Sequence, residues 1–331
     1  MSSPKDLWWA ARNPPADPRH LDFKNKAVLV TGANSGLGHA AAIKYAALGA
    51  DPLILAVRSQ QNGDEAKADI IRATKCSPDI FVVEVLELTT FASVREFVNR
   101  LNANPRVQRL HVVQLAAGVS MPSFTKSPDG YEMALQVNVL STALLALLLL
   151  PKLRETAAAE GPDGFAPHMS FVNSIAHLEV KPEWIADGES LIQRLQNEAK
   201  FDKVTQYYLL KLALIFVVRG LVQRVGAAEG MVINATCPGM CKTNLGRNHG
   251  LIERMFMAVF YVFFGRSAEV GARVMVGATG LGPESHGKFW TNDKYLPPSE
   301  FMESERGNEL YRETWNEILD ILRRQAGYSY V

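Results

Sequence analysis

A tyrosine and a lysine lie four residues apart, at Tyr207 and Lys211, in a segment whose pattern predicts a helix over about 205–225. Residues at this spacing share one face of a helix, so the two side chains would meet. A free phenol has a pKa of about 10, and a nearby ammonium, together with an oxidised nicotinamide, would lower it by stabilising the phenolate. Tyr207 could then exchange a proton with a carbonyl or hydroxyl group. The spacing is common by chance, so its surroundings must support this interpretation.

Ser174 supplies part of that support. It follows a short apolar segment, 169–172, that predicts a buried strand. Ligands of a doubly wound α/β sheet bind beyond the carboxyl ends of the strands. Ser174 is therefore placed to hydrogen-bond a substrate oxygen near Tyr207.

A glycine-rich turn lies between a predicted strand, 27–30, and the alanine-rich helix that follows it. Glycines allow a tight turn and a close approach by a phosphate, and the start of a helix attracts anions. This context predicts a site for a dinucleotide pyrophosphate, the alternative being a tight turn without a ligand. The residues predicted to form it are Gly32, Asn34, Ser35, Gly36, Leu37 and Gly38.

The residue after the next strand, 52–57, indicates which dinucleotide binds. An acidic residue at this place would bind the 2′-hydroxyl of NAD, but the sequence has Val57 and Arg58. An arginine can pair with the 2′-phosphate of NADP(H). We therefore predict NADP(H) as the cofactor, the alternative being that Arg58 is a solvated loop residue.

Strand and helix patterns alternate along the chain, which predicts a single Rossmann-type α/β domain with a doubly wound parallel sheet. Residues 1–22 are assigned to an N-terminal extension, in which prolines should prevent regular structure over most of its length and Trp8 and Trp9 should pack onto the body. The domain, 23–331, carries an insertion at about 177–203, with a helix near 190–200, and a substrate lid at about 244–266. The other predicted strands are 80–85, 110–115 and 231–235, and the other helices are 62–74, 91–102 and 131–150, the last ending before Pro151.

Composition excludes several classes of function. The 331 residues include 35 Lys and Arg and 34 Asp and Glu, for a net charge of +1, which gives no electrostatic basis for nucleic-acid binding. The three cysteines and the histidines show no metal-ligand spacing, so no metal is predicted. Reduced cysteines and the absence of a signal-peptide pattern lead us to expect a cytoplasmic protein without a membrane span.

These segments together resemble the short-chain dehydrogenase/reductase superfamily over about 24–295, and the similarity is greatest to retinol-dehydrogenase-like members of fungal secondary metabolism. Thr31–Gly38 is similar to the family's TGxxxGxG turn. The other matching motifs, in family order, are Glu87–Leu88 beside the adenine, Ala116–Ala117–Gly118 in place of the NAG motif, the helix asparagine Asn138, the catalytic serine Ser174, the YxxxK pair Tyr207 and Lys211, and the PGxxxT loop at Pro238, Gly239, Met240, Cys241 and Thr243.

The resemblance implies a role for each matching residue. Tyr207 would be the proton donor or acceptor, Ser174 would orient the carbonyl, and Lys211 would hold the nicotinamide ribose and lower the pKa of Tyr207. Asn138 would hold a water in a proton relay to Lys211. The PGxxxT loop would fix the nicotinamide carboxamide. The implied activity is NADP(H)-dependent interconversion of a ketone and a secondary alcohol, as a reductase if NADPH is the cofactor.

Two departures from the family pattern keep other functions open. Ala116 replaces an asparagine that usually braces the sheet, which could loosen the cofactor site, and Leu210 replaces a serine. The alternatives are a non-redox protein that binds NADP(H) as a sensor or partner, and a redox-independent isomerase or cyclase.

Partners are predicted from two apolar segments. The apolar segment 251–264 predicts a bulky, lipophilic substrate, or else a core helix, a dimer contact or a peripheral membrane contact. The helix at 131–150 matches one that often pairs in family dimers, so a homodimer is expected.

Overall fold

The computed structural model describes residues 4–161, 164–226, 229–243, 250, 260–261 and 263–329. Short runs rich in Val, Leu and Ile form the strands, because such runs can be buried on both faces of a sheet. The strands are β1 (Val28–Thr31), β2 (Leu53–Val57), β3 (Phe81–Val85), β4 (Val112–Leu115), β5 (His168–Val172), β6 (Val232–Thr236), β7 (Phe289–Thr291) and β8 (Lys294–Leu296).

These strands form one eight-stranded sheet in the order β3-β2-β1-β4-β5-β6-β7-β8. Every pair from β3 to β7 is parallel, and β8 runs antiparallel to β7. The strand order changes direction between β1 and β4, which is where ligands bind in doubly wound sheets. The predicted Rossmann-type α/β fold is therefore confirmed.

Helices cover both faces of the sheet. The helices are α1 (Pro4–Arg12), α2 (Gly36–Ala47), α3 (Gln60–Thr74), α4 (Phe91–Ala103), α5 (Met133–Glu160), α6 (Leu191–Gln196), α7 (Lys203–Arg224), α8 (Ala268–Gly277), α9 (Glu300–Glu303) and α10 (Glu305–Gln325). One apolar core contains residues of α2, α3 and α8, and the other contains residues of α4 to α7 and α10.

The expectation of an irregular N-terminal extension was wrong for Pro4–Arg12, which form a helix, whereas residues 13–22 have no helix or strand. Pro4 opens α1, and proline is well tolerated at the first position of a helix because its missing N–H has no partner there. Trp8 and Trp9 are 48% and 55% exposed, so neither ring is buried against the body.

The long helix α5 continues past Pro151 to Glu160, contrary to the prediction that it ends there. Pro151 lies on the exposed side of the helix, whereas Leu149, Leu150 and Leu153 are buried. Burial of these leucines on both sides of the proline holds the helix together despite the lost hydrogen bond.

The C-terminal helix α10 covers one face of α7. The Trp315 ring lies against Gly220, where a Cβ would come within 2.3 Å of it. The Tyr311 ring packs edge-on against Phe216 at 5.6 Å, and its hydroxyl donates to Gln223 at 2.6 Å. This face of α7 is therefore closed within the chain and is not free for a second copy.

Two of the described helices, Met133–Glu160 and Lys203–Arg224, are long and apolar enough to cross a membrane. Their apolar windows are 89% and 67% buried inside the fold. Buried core helices pass this test of length and composition, so the two helices are weak evidence for a membrane protein.

A charged cluster lies at the amino-terminal ends of the strands, on the opposite edge of the sheet from their carboxyl ends. Glu160 accepts from Lys26 at 3.0 Å, from Arg109 at 2.9 Å and from His111 Nε2 at 3.1 Å. His111 Nδ1 accepts from the Ala27 N–H at 2.9 Å, so Nε2 carries the ring proton. The hydrogen bond from Lys26 is the main reason that the pKa of Glu160 falls from 4.5 to about 2.

We expect Glu160→Gln to lower the free energy of unfolding at pH 7 by about 1–3 kcal/mol, because Lys26 and His111 lose a charged acceptor. The folded pKa lies below the unfolded value, so this stabilisation is present above pH 4.5 and is lost as the pH falls towards 2. Urea unfolding at pH 7 and near pH 3 measures it. Exposed Glu155 on the same helix provides the control Glu155→Gln, and equal effects of both variants would contradict the prediction.

Candidate active site

A cleft of about 920 Å³ lies at the carboxyl ends of the strands. It brings together the predicted catalytic residues Ser174, Tyr207 and Lys211 and every predicted cofactor-binding residue. The cofactor-binding residues in its wall are Gly32, Asn34, Ser35, Gly36, Leu37, Gly38, Arg58, Glu87, Leu88, Ala116, Ala117, Gly118, Pro238, Gly239, Met240, Cys241 and Thr243.

The glycine-rich turn has the shape that a pyrophosphate requires. Gly32 has a positive φ of 67°, and a Cβ on Gly38 would lie 2.4 Å from the Gly32 carbonyl oxygen. Ser35 stands at the N-cap of α2, and its side chain makes no capping hydrogen bond. The first N–H groups of α2 are therefore available to an anion, and the turn fits a dinucleotide.

Thr31 braces the centre of the sheet at the place where Ala116 lacks the side chain of the usual asparagine. The Thr31 hydroxyl accepts from the N–H groups of Ala116 at 2.9 Å and Ala117 at 3.0 Å, and Thr31 is buried. These bonds tie the end of β4 to the end of β1. The expected loosening at Ala116 is therefore offset by a neighbouring strand.

The catalytic candidates are held by the end of β5 and by α7. Asn173 fixes the two elements together, because its side chain donates to the Lys211 carbonyl at 3.2 Å and accepts from the Ser174 N–H at 2.8 Å. The Tyr207 hydroxyl lies close enough to the Ser174 side chain for that side chain to favour its phenolate form. The Lys211 Nζ lies 5.7 Å from the centre of the Tyr207 ring and donates to the Val172 carbonyl at 3.4 Å.

Burial determines the pKa values of this group in the protein alone. It raises the pKa of Tyr207 to about 12, against the smaller lowering effect of the Ser174 side chain. It lowers the pKa of Lys211 to about 8. The lowering of the Tyr207 pKa by Lys211 stays a prediction for the enzyme with bound nucleotide, since desolvation of the phenolate is the largest effect in the protein alone.

His177 holds the backbone of Ser174 in place. Its Nδ1 donates to the Ser174 carbonyl at 2.6 Å, and its ring packs edge-on against Phe289 at 4.6 Å. Burial lowers the pKa of His177 to about 4, so the ring is neutral at pH 7. A neutral, fixed ring holds the turn that carries the Ser174 hydroxyl.

Asn138 lies in a π-helical turn, Gln136–Leu140, within α5, and it does not line the cleft. Its side chain donates to the Val119 carbonyl and accepts from the Val119 N–H, both at 2.8 Å. Asn138 thus fixes the loop after Gly118. The water relay expected of Asn138 stays a prediction.

The sequence patterns missed several residues of the cleft wall. One group comes from the β7–β8 hairpin, whose turn residues Asn292 and Asp293 have positive φ angles of 48° and 56°. An Asn-Asp pair between two apolar runs is a recognisable signal for a tight hairpin. The wall residues that were not predicted include Ala10, Ala11, Ala56, Leu86, Met121, Met133, Tyr208, Asn292, Lys294 and Leu296.

Most of the predicted lid at 244–266 lies outside the described residues. Of its described part, Phe260, Tyr261, Phe264 and Arg266 line the cleft, and the Phe260 and Phe264 rings lie 4.6 Å apart. Among the residues that the structure describes, no cluster of His, Cys, Asp and Glu could hold a metal ion.

A doubly wound sheet with a dinucleotide turn and a Ser–Tyr–Lys group in one cleft defines a nicotinamide-dependent oxidoreductase fold. Comparison with known sequences agrees. The family model for short chain dehydrogenases matches residues 26–161.

Two fungal proteins are similar over nearly the whole chain. The short-chain dehydrogenase/reductase ffsI of Aspergillus flavipes is 41% identical over 98% of this chain and 93% of its own length. The short-chain dehydrogenase/reductase phmF of Phaeosphaeria nodorum is 40% identical over 98% and 94%. The chain therefore belongs to the short-chain dehydrogenase/reductase family, and it is an oxidoreductase that acts on CH–OH groups.

Solved structures share the fold. The NADPH-bound carbonyl reductase from chicken fatty liver has a TM-score of 0.60 at 21% identity, covering 83% of this chain and 99% of its own. A short-chain dehydrogenase/reductase from Burkholderia phymatum in complex with NAD also scores 0.60, at 16% identity over 94% and 100%. Both cofactors thus occur on this fold.

Proposed function

We propose that the protein is an NADP(H)-dependent oxidoreductase that interconverts a ketone and a secondary alcohol on a bulky, lipophilic substrate, working as a reductase in fungal secondary metabolism. The observation that carries the proposal is the placement of Ser174, Tyr207 and Lys211 in one cleft with the glycine-rich turn. The fungal origin of the relatives supports the metabolic role.

Each residue has a distinct task in carbonyl reduction. NADPH, when bound, supplies the hydride that reduces the carbonyl carbon. The Ser174 hydroxyl donates a hydrogen bond that orients the substrate oxygen, and the Tyr207 hydroxyl transfers its proton to that oxygen. Its high pKa keeps Tyr207 protonated before the reaction. Lys211, as an ammonium, stabilises the phenolate that remains.

The substrate end of the cleft favours a lipophilic molecule. Met121, Met133 and Tyr208 line it together with the described lid residues Phe260 and Phe264. Methionine and aromatic side chains bind apolar groups and tolerate variation in shape. The ring of Trp184, from the insertion, packs against Tyr208 at 5.7 Å and holds this wall in place.

Arg58 supports NADP(H) over NAD(H). Its side chain is exposed in the cleft wall and makes no ion pair with the described part of the chain. It directly precedes Ser59, the N-cap of α3, so a guanidinium and a helix N-terminus meet at this place. Both attract a phosphate on the 2′-position of the adenosine ribose.

We expect Arg58→Ala to weaken NADPH binding by about 10–100-fold, because a charge-assisted hydrogen bond to phosphate contributes about 1.5–3 kcal/mol. NADH binding should change little. Fluorescence titration of the wild type and the variant with each nucleotide measures both. Arg72, an exposed arginine of α3 that pairs with Asp69 at 2.7 Å, provides the control Arg72→Ala. Equal affinity of the wild type for NADH and NADPH would overturn the cofactor assignment.

Three expectations about the surroundings of the enzyme stay predictions. These are a homodimer, a peripheral membrane contact and a cytoplasmic location. A homodimer would have to avoid the face of α7 that α10 covers, and sedimentation of the purified protein tests it.

A further inference from the structure

Arg266 is a buried cation at the junction of the nicotinamide loop and the N-terminal segment. Its side chain is 4% exposed, although arginine is rarely buried without an acidic partner. The described acidic residues form no ion pair with it. Its guanidinium instead binds backbone carbonyl groups on both sides.

One side of this junction is the end of α1. Arg266 donates to the Ala10 carbonyl from Nε at 2.9 Å and from Nη2 at 2.6 Å, and to the Asn13 carbonyl at 3.4 Å. The last carbonyl groups of a helix have no partner within it and carry the negative end of the helix dipole. Arg266 therefore caps α1, and the helix end compensates the buried charge.

The other side is the loop predicted to hold the nicotinamide, Pro238–Thr243. Arg266 Nη1 donates to the Pro238 carbonyl at 3.5 Å. Its backbone N–H donates to the Met240 carbonyl at 2.7 Å, and its carbonyl accepts from the Lys242 N–H at 2.9 Å. A Cβ on Gly239 would lie 3.0 Å from Nη1, so the loop and the guanidinium are in close contact.

The N-terminal segment reaches the cleft itself. Ala10 and Ala11 line it. Beyond α1 the segment is held at two further points, where the Ala16 N–H donates to Asp293 at 2.8 Å and Asp17 pairs with Lys44 at 2.8 Å. These anchors place α1 across the nicotinamide end of the cleft.

We propose that Arg266 is a positioning residue for hydride transfer, and that α1 is a working wall of the active site against which Arg266 fixes the nicotinamide loop. The inference rests on the proposed function, because the loop matters to catalysis only if it holds a nicotinamide. Displacement of a reactive group by about 1 Å can cost about 100-fold in rate. The glycine-rich turn and Arg58 lie elsewhere, so cofactor affinity depends little on Arg266.

The test compares Arg266→Ala, deletion of residues 2–13, and the two combined. Each single change should lower kcat by about 10–100-fold and change the Kd for NADPH by less than about 3-fold. The combined variant should lose no more than the worse single variant, since both remove one coupled contact. Arg266→Lys should recover only part of the rate, because an ammonium cannot reproduce the forked hydrogen bonds.

Arg273→Ala is the matched control. Arg273 also donates to the N-terminal segment, at the Pro15 carbonyl at 3.4 Å, but pairs with Glu269 on the surface and does not line the cleft. It should keep the wild-type rate. Losses that add in the combined variant, or an equal loss in Arg273→Ala, would overturn the proposal.

A second readout needs no substrate. Hydrogen exchange of the amides at 239–242 in the protein without nucleotide should be faster in Arg266→Ala and in the deletion, and unchanged in Arg273→Ala. Unchanged exchange in Arg266→Ala would refute the positioning role. If wild-type protein reduces no ketone but the exchange result holds, the proposed function fails while the structural role of Arg266 stands.

Discussion

Tyr207→Phe is expected to abolish turnover, with a fall in kcat on the order of 10³-fold or more, while NADPH still binds. The change removes one hydroxyl and leaves the ring that packs edge-on against Tyr208 at 6.3 Å. The proton donor for the substrate oxygen is lost, but the glycine-rich turn is untouched. Steady-state rates with a lipophilic ketone, together with NADPH titration, measure the two effects separately.

Tyr311→Phe is the control for this prediction. Tyr311 is a buried tyrosine of α10 whose hydroxyl donates to Gln223 at 2.6 Å, and it does not line the cleft. The same chemical change there should leave kcat unchanged and lower stability by about 1 kcal/mol. Full activity of Tyr207→Phe would rule out the proposed acid–base role.

Gly38→Ala is expected to weaken NADPH binding by about 100-fold and to lower the free energy of unfolding by about 1–3 kcal/mol. The new methyl group would lie 2.4 Å from the Gly32 carbonyl oxygen and 2.9 Å from the Thr31 carbonyl oxygen. The backbone must move to relieve these contacts, so the N–H groups of the turn would no longer point at the pyrophosphate. NADPH titration and urea unfolding measure the two losses.

Gly277→Ala is the matched control, because Gly277 also lies in a helix and a Cβ there meets nothing within 4 Å. Alanine is the better helix former, so this variant should be neutral or more stable by up to about 1 kcal/mol. If the two variants bind NADPH equally well, the glycine-rich turn is not the dinucleotide site.

The sequence was sufficient to predict those site residues whose neighbours in the site are also close along the chain. The glycine-rich turn lies within a few residues of β1, and Tyr207 and Lys211 lie one helical turn apart, so spacing alone predicts their meeting. Arg58 directly follows β2, and Ser174 lies two residues beyond the end of β5. The parallel strands of the fold then bring these residues together at the carboxyl edge of the sheet.

The sequence was insufficient to predict contacts between residues that are far apart along the chain. Nothing near Arg266 shows that it will bind the carbonyl of Ala10, which is 256 residues away. Pro151 has the local pattern of a helix end, and only burial of its neighbours against other elements overrides it. Thr31 replaces the missing brace at Ala116 through the pairing of β1 and β4, which no local pattern indicates.

The packing of α10 on α7 has a consequence for the synthesis of the protein. The face of α7 around Phe216 and Gly220 is made well before Tyr311 and Trp315 leave the ribosome. Until then, nascent chains present an apolar surface that has no native partner, and such surfaces bind chaperones or aggregate. A premature stop codon ahead of α10 would therefore yield insoluble protein, even though every predicted catalytic and cofactor-binding residue would be present.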